Sequence, residues 1–409
     1  MRFLLFALIT ALLLFAIDYY VYRRWIRFAR KHPGWYRLRH LYRASMSIMP
    51  WVLPLYFSLS RWWEVEPKWI RALVIGFWGF YYIPKAWIAL VLLAGDLVRF
   101  LSRPLRRRRS RPSITKPQAR REFLEKIAWS SAAIPYVATG YSMIHTLYDF
   151  KVHRMQLPIP DLPRAFEGLR IVQISDLHAG SFLSTRPLEE VVQLVQRLHP
   201  DLLVITGDFV NHRAEELTIL LPYLFRLKAP LGVFACLGNH DHYAPVNEVI
   251  AGVRQTPVQL LINEHQTLEM DGAFFHIIGT DNTGFGQNFG DLRRATRGLK
   301  RHPSGEEFRL LLAHDPSFWD RYVRPDYPDI DLTLSGHTHG GQIGMEVGPL
   351  RWSLAQIAYE RWAGIYEEPA STPRGKQLLY VNRGIGTVGP PIRMGIRPEI
   401  TVITLQRTS

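Results

Sequence analysis

The chain has 409 residues, 47% of them hydrophobic and 21% charged, with a net charge of +15. Its single cysteine, Cys236, excludes an internal disulfide and any metal site built from several thiolates. The charge does not mark a nucleic-acid binder: eight Lys or Arg fall within 21–44 and ten within 99–121, with no acid in either stretch, so these eighteen outweigh the whole net charge.

Residues 3–20 form a nearly unbroken apolar run, long enough as a helix to cross a hydrocarbon layer about 30 Å thick. The run ends in Ile17-Asp18-Tyr19-Tyr20 without a small-x-small cleavage site, and most positive charge follows it. It therefore reads as a retained anchor with its start outside, not a cleaved signal peptide. The second block, 44–60, is interrupted by Pro50 and Pro54 and reads as a bent span or a re-entrant turn. The third, 72–95, is the longest and contains Lys85, which is expected to snorkel toward one face or to pack against a neighbouring helix. Trp62, Trp63, Trp69, Tyr81, Tyr82 and Trp87 are expected as interface belts or packing groups.

A fourth block, 127–144, follows Arg120-Arg121-Glu122-Phe123-Leu124, a string that resembles a twin-arginine export signal and equally serves as positive-inside charge. Both readings give one topology: residues 1–150 as a transmembrane region with four spans in the cell (inner) membrane, both basic loops cytoplasmic, and 151–409 as an extracytoplasmic domain.

In the second half, short apolar runs end repeatedly in polar residues. Residues 169–175 alternate as a strand and stop at Asp176-Leu177-His178, and 187–198 has helical spacing. Residues 202–206 lead into Gly207-Asp208, and 233–237 into Gly238-Asn239-His240-Asp241. Residues 310–313 precede His314, and 332–335 precede Gly336-His337-Thr338-His339-Gly340-Gly341. Five strand ends that carry ligand-type residues, with helices between, suit the carboxyl edge of an α/β sheet, where such folds build their sites. Two aspartates, one asparagine and four histidines suit Zn²⁺, Mn²⁺ or Fe, and seven ligands suit two ions that share a bridge. Such a pair stabilises both the attacking and the leaving oxygen in displacement at phosphorus. No Ser or Cys nucleophile is signalled.

In this order, Asp176-x-His178, Gly207-Asp208, Gly238-Asn239-His240-Asp241, His314 and Gly336-His337-x-His339 resemble the calcineurin-like metallophosphoesterases. The longer Ser335-Gly336-His337-Thr338-His339-Gly340-Gly341-Gln342 and the later Asn382-Arg383-Gly384 resemble its membrane-associated bacterial YkuE- and YaeI-like branch. The resemblance covers roughly residues 165–407 and implies a four-layer α/β/β/α sandwich behind the transmembrane helices. It implies two divalent metal ions, Mn, Zn or Fe, with Asp176, His178 and His339 on the first and Asn239, His314 and His337 on the second. Asp208 would bridge them, and His240 would contact the phosphate and protonate or stabilise the leaving oxygen while a metal-bound hydroxide attacks in line. The implied substrate is a phosphodiester, phosphomonoester or pyrophosphate, with a cell-envelope lipid among the candidates.

One position departs from the family pattern. Several branches carry an aspartate three residues after the bridging one, and Asn211 stands there, leaving Asp241 or nothing to orient His240. This departure and the elaborate membrane half support a competing reading, a non-catalytic membrane sensor or scaffold. Asp281 and Asp315 are candidate partners for a ligand histidine. His212, His242 and His265 match no motif and read as surface or core, and Cys236 as a small buried strand residue. Within 342–377, Met345, Leu350, Trp352, Leu354, Ile357, Tyr359, Trp362 and Tyr366 read either as extra core or as a lid or membrane-leaning face beside the metals.

Overall fold

The structure, a computed structural model, describes residues 2–60, 68–107, 129 and 131–408 other than 285, 349 and 373. The chain divides into two compact units, Met1–Ile144 and His145–Ser409.

The first unit is helical: Arg2–Ala29, Pro33–Arg37, Arg39–Ser60, Lys68–Arg107 and Ala133–Tyr141. Among the described residues one helix, over Trp69–Val98, is long and apolar enough to cross a membrane. Pro50 and Pro54 do not interrupt the second block; both lie inside the helix Arg39–Ser60. Of the two expectations for Lys85, packing against a neighbouring helix is the one observed, and it does not snorkel. It is buried, its Nζ lies 2.6 Å from Oδ1 of Asp18 on the first helix, and the hydroxyl of Tyr82 donates to Oδ2 of the same carboxylate at 3.1 Å. Trp62, Trp63 and the twin-arginine-like string lie outside the described residues.

The second unit packs two six-stranded mixed sheets face to face. In the first, the order is Lys151–Pro160, Glu399–Thr408, Arg170–Ile174, Leu202–Thr206, Val233–Cys236, Val258–Leu260. The last four are parallel, and Glu399–Thr408 runs antiparallel to Arg170–Ile174 with Ile403 opposite Ile171. In the second, the order is Gly364–Pro369, Lys376–Val381, Leu332–Ser335, Glu307–Leu312, Ala273–Gly279, Glu264–Met270, with the middle four parallel and both edges antiparallel.

Side chains alternate between layers. Ile171, Leu202, Val204, Leu310 and Leu312 enter the core between the sheets, where Phe166 meets Phe275 edge-on at 5.2 Å. Val172, Ile174, Leu203 and Ile205 face the other way, against helices Arg186–Arg197, Leu217–Leu224 and Val246–Arg254. Leu311 and Val381 meet Trp319 and Val323 on the far side of the second sheet. Strands buried on both faces carry unbroken apolar runs, which is why the sequence shows runs there and not alternation. The result is the expected α/β/β/α sandwich, with the carboxyl ends of both sets of parallel strands at one edge.

Candidate metal centre

At that edge the backbone itself is unusual. Asp176, His178, Asp208, His337 and His339 all have positive φ, between 43° and 71°. For non-glycine residues this conformation costs on the order of 1–3 kcal/mol each in sparsely populated regions, and persists only where surroundings over-determine it. Each strand ends in a reversal that turns a polar side chain back over the sheet edge. Glycine is required beside two of them: a Cβ at Gly238 would collide with the carboxylate of Asp208, and one at Gly336 with that of Asp176.

Among the described residues three overlapping groups of ligand-type atoms result: Asp176 with His178 and His339, Asp208 with His314 and His337, and, linking these two, His178 with Asp208 and His240. Nε2 of His178 lies 3.0 Å from Nε2 of His339, which is 3.3 Å from Oδ1 of Asp176. On the other side, Nε2 of His314 is 3.2 Å from Nδ1 of His337 and 3.2 Å from Oδ1 of Asn239. Between the groups sits Oδ2 of Asp208, 3.4 Å from Nε2 of His178 and 3.1 Å from Nε2 of His314. That oxygen is buried and accepts no hydrogen bond. Where these imidazoles are neutral, ring nitrogens and carboxylate oxygens face one another lone pair to lone pair, an arrangement that cations between them stabilise. The donor set, all oxygen and nitrogen, fits a pair of divalent ions that share Asp208.

Charge in the site follows from burial and these neighbours. Burial opposes protonation of His314, the Asp208 carboxylate favours it, and the balance lifts it to about 10. Asp208 is conversely held well below the usual carboxylate range, because the His314 and His178 imidazoles outweigh its burial. A divalent cation in the same place takes over that balance and leaves a neutral imidazole. Burial, then the neighbouring His178, pushes His240 down to about 4.

The outer partners explain the orientation of these rings. Nδ1 of His314 lies 2.6 Å from the carbonyl oxygen of Thr206, which leaves Nε2 facing the centre. Nε2 of His337 lies 2.7 Å from the hydroxyl of Tyr359 and 3.7 Å from Oδ2 of Asp315. His240 donates its main-chain N–H to Oδ1 of Asp208 at 2.8 Å. Asp241 does not orient His240: it accepts main-chain N–H groups of Gly238 at 2.9 Å, Asp208 at 3.1 Å, Phe209 at 2.8 Å and Val210 at 3.3 Å, and so shapes the Asp208 turn. Burial, then the charge of Asp208, raises Asp241 to about 7.

Sequence reasoning missed several neighbours. Tyr359 stood in it only as one of many large apolar groups. His242 pairs with Asp281 at 2.7 Å and stacks on Phe289, so Asp281 orients this histidine and none of the candidate ligands. The His212 ring centroid lies 5.4 Å from that of His240. His265 bonds to the carbonyl of Ala295, and Cys236 is buried in its strand. Only the proximity of His212 and His242 to the Asp208 and His240 motifs hinted at their place.

A family model described as calcineurin-like phosphoesterase matches residues 169–341, and one described as probable calcineurin-like phosphoesterase, transmembrane domain, matches residues 1–146. The uncharacterized metallophosphoesterase YkuE of Bacillus subtilis is 32% identical over 72% of this chain and 100% of its own length. A zebrafish (Danio rerio) transmembrane protein with metallophosphoesterase domain is 28% identical over 84% of this chain and 75% of its own. The UDP-2,3-diacylglucosamine pyrophosphatase LpxG of Chlamydia muridarum is 31% identical over 62% of this chain and 88% of its own. The chain belongs to the calcineurin-like metallophosphoesterases, as a metal-dependent phosphoric ester hydrolase joined to an N-terminal transmembrane domain.

Proposed function

We propose that this hydrolase cleaves a phosphodiester or pyrophosphate bond in a lipid-linked molecule of the cell envelope. The observation that carries the reading is Oδ2 of Asp208, buried without a hydrogen-bond donor between two groups of ligand atoms. On this reading Asp176, His178 and His339 hold one cation, Asn239, His314 and His337 the other, and Asp208 both. The ions supply Lewis acidity toward the phosphoryl oxygens and activation of the attacking water. His240, fixed at its main-chain N–H by Asp208 and at Nδ1 by Asn211, presents its other ring nitrogen to the leaving oxygen. The lipid-linked substrate class is supported by the chain's membrane domain and by the activity after which the LpxG relative, a UDP-2,3-diacylglucosamine pyrophosphatase, is named. We place residues 1–150 as a multi-pass inner-membrane region and 151–409 outside the cytoplasm, on the strength of the two acid-free basic stretches.

The full chain in detergent, incubated with Mn²⁺ or Zn²⁺ and assayed on bis-p-nitrophenyl phosphate and UDP-2,3-diacylglucosamine, tests the reading. Asp208→Asn is expected to abolish turnover and to lower bound metal from two ions per chain. A variant with wild-type metal content and turnover overturns the shared-ligand assignment. The sensor or scaffold reading rested partly on Asn211, and the main-chain contact of that residue with His240 removes that support.

A further inference from the structure

The stretch 342–377 is neither simply core nor simply loop. Trp362 and Ala355 pack inward with Ile396, but the hairpin that precedes them is turned inside out. Strands Gly344–Val347 and Leu350–Ser353 pair antiparallel with Met345 opposite Trp352 and Val347 opposite Leu350. These four share one face of the ribbon by the two-residue period of a strand, and that face is exposed: Met345 46%, Val347 64%, Leu350 64%, Trp352 41%. The charged pair Glu346 opposite Arg351 takes the other face, where Arg383 donates to Glu346 at 2.6 Å and Arg351 donates to the carbonyl of Ala363 at 2.8 Å. Ordinary soluble ribbons put the apolar face inward. The apolar surface continues through the 3₁₀ turn Leu354–Ile357, where Leu354 is exposed and Ile357 is 84% exposed.

Position supplies the occupant. The base of the ribbon is tied to 394–395: Gly344 donates to the carbonyl of Met394 at 2.9 Å, Met394 donates to that of Gln342 at 2.8 Å, and Ile343 bridges Met394 and Gly395. The adjacent residue, Arg393, receives the incoming chain, because the hydroxyl of Thr146, at the start of this unit, donates to its carbonyl. The Arg393 guanidinium donates to the carbonyls of Arg383 at 2.7 Å and Gly384 at 3.1 Å, and toward that of candidate ligand His339 at 3.4 Å. The segment that arrives from the transmembrane domain, the root of the apolar ribbon and the metal-site loop thus meet on three consecutive residues. Two residues after Ile357, Tyr359 touches His337.

We propose that the exposed face of the 344–353 ribbon, with Leu354 and Ile357, inserts into the lipid surface that carries this chain's own helices. Large apolar side chains on a tethered rim partition into the headgroup and acyl boundary, and a polar opposite face docks the ribbon to the protein. Insertion brings the lipid surface to the edge of the metal site. That the site then works on lipid-linked phosphate rests on the proposed function, whereas insertion itself is read without turnover.

The test uses the full chain in vesicles of phosphatidylethanolamine and phosphatidylglycerol. The native Cys236 is buried, so Val347→Cys, Ile357→Cys and a control, Arg301→Cys, each take an environment-sensitive fluorophore selectively. Arg301 is exposed and precedes the strand Glu307–Leu312, whose opposite end leads to His314. Doxyl-labelled lipid is expected to quench positions 347 and 357 at least about twofold more than 301, with aqueous iodide showing the reverse order. Leu350→Asp is expected to cut the lipid quenching at 357 at least about twofold, as a charge at the rim opposes insertion. A photoreactive acyl lipid added to the wild-type chain should leave crosslinks within 344–357. Equal iodide access at all three sites, crosslinks confined to residues 1–144, or labels shielded from both quenchers by another protein copy would each overturn the proposal. Loss of hydrolysis with quenching intact would instead count against the proposed function alone.

Discussion

Nδ1 of His240 lies 2.6 Å from the main-chain carbonyl oxygen of Asn211. A carbonyl only accepts, so Nδ1 keeps a proton in either charge state and Nε2 is the nitrogen that takes up and delivers a second one, an orientation set here by the backbone where several branches of the family carry an aspartate. The Asn211 side chain is turned elsewhere, donating to the carbonyl of Thr387 at 3.2 Å.

The two residues should therefore respond differently to substitution. Asn211→Ala keeps the carbonyl and is expected to retain kcat within about threefold, whereas His240→Asn should lose about 10²–10⁴-fold, the usual range for a general acid. The loss should be larger for alkyl than for p-nitrophenyl leaving groups, because only a poor leaving group needs the proton. Equal losses across leaving groups would remove His240 from the acid role.

Tyr359 is predicted to act on metal affinity through His337, whose Nε2 its hydroxyl meets at 2.7 Å. Tyr359→Phe removes that partner while keeping the ring. Outer partners of metal histidines are typically worth about 10–100-fold in metal affinity or activity. Metal titration of the variant should show one of two ions weakened about tenfold at the least, with thermal stability of the metal-loaded chain nearly unchanged. Two ions bound as tightly as in wild type would leave the contact without a role at the metal.

Much of this architecture was legible because the strands buried on both faces run apolar until the chain must turn, and the turn is where the candidate ligands stand; Asp176, Asp208, Asn239, His314 and His337 each follow such a run. What the sequence hid depends on long-range contact or on the main chain. The Asn211 carbonyl has no sequence signature. The role of Asp241, capping four main-chain N–H groups, looks the same in sequence as a side chain orienting its neighbour. The ten-residue parallel pairing of Lys151–Pro160 with Glu399–Thr408 joins opposite ends of the unit. The inverted ribbon reads as generic apolar text until the pairing of Val347 with Leu350 reveals which face they share. Prolines 50 and 54 misled because neighbouring helices, Ser or Thr side chains and local adjustment can re-satisfy the backbone groups that a proline frees, so the helix Arg39–Ser60 runs through both.

His276 ties stability to pH in a definite direction. It is buried against Thr267, its Nδ1 2.8 Å from the Thr267 hydroxyl, and burial pushes it down to about 4 from an ordinary value near 6.5. Between those values the unfolded chain takes up a proton that the folded chain refuses, so stability falls as pH drops from about 6.5 to about 4 and is unaffected above that window. His276→Gln removes the titration. Melting temperatures of the metal-loaded full chain across pH 4.5–7.5 should fall more steeply for wild type than for the variant on the acid side, and run parallel above pH 7. Parallel curves throughout would show that this histidine does not titrate differently on folding.

The Asp18–Lys85 pair makes the last prediction, since both charges are buried among apolar helices and each answers the other at 2.6 Å. Removing one partner leaves an uncompensated charge in a low-dielectric surrounding, which typically costs about 3–5 kcal/mol, whereas replacing both with apolar groups of similar volume is often neutral. Lys85→Met and Asp18→Leu are each expected to destabilise the chain strongly, and the double variant to recover most of the loss, although the hydroxyl of Tyr82 then loses its acceptor on Asp18. A thermal or SDS unfolding cycle of the four proteins in detergent measures the coupling. Because the charges cancel only when adjacent, strongly non-additive losses indicate a pair that specifies helix packing. Additive losses would mean that Asp18 and Lys85 each answer to other groups.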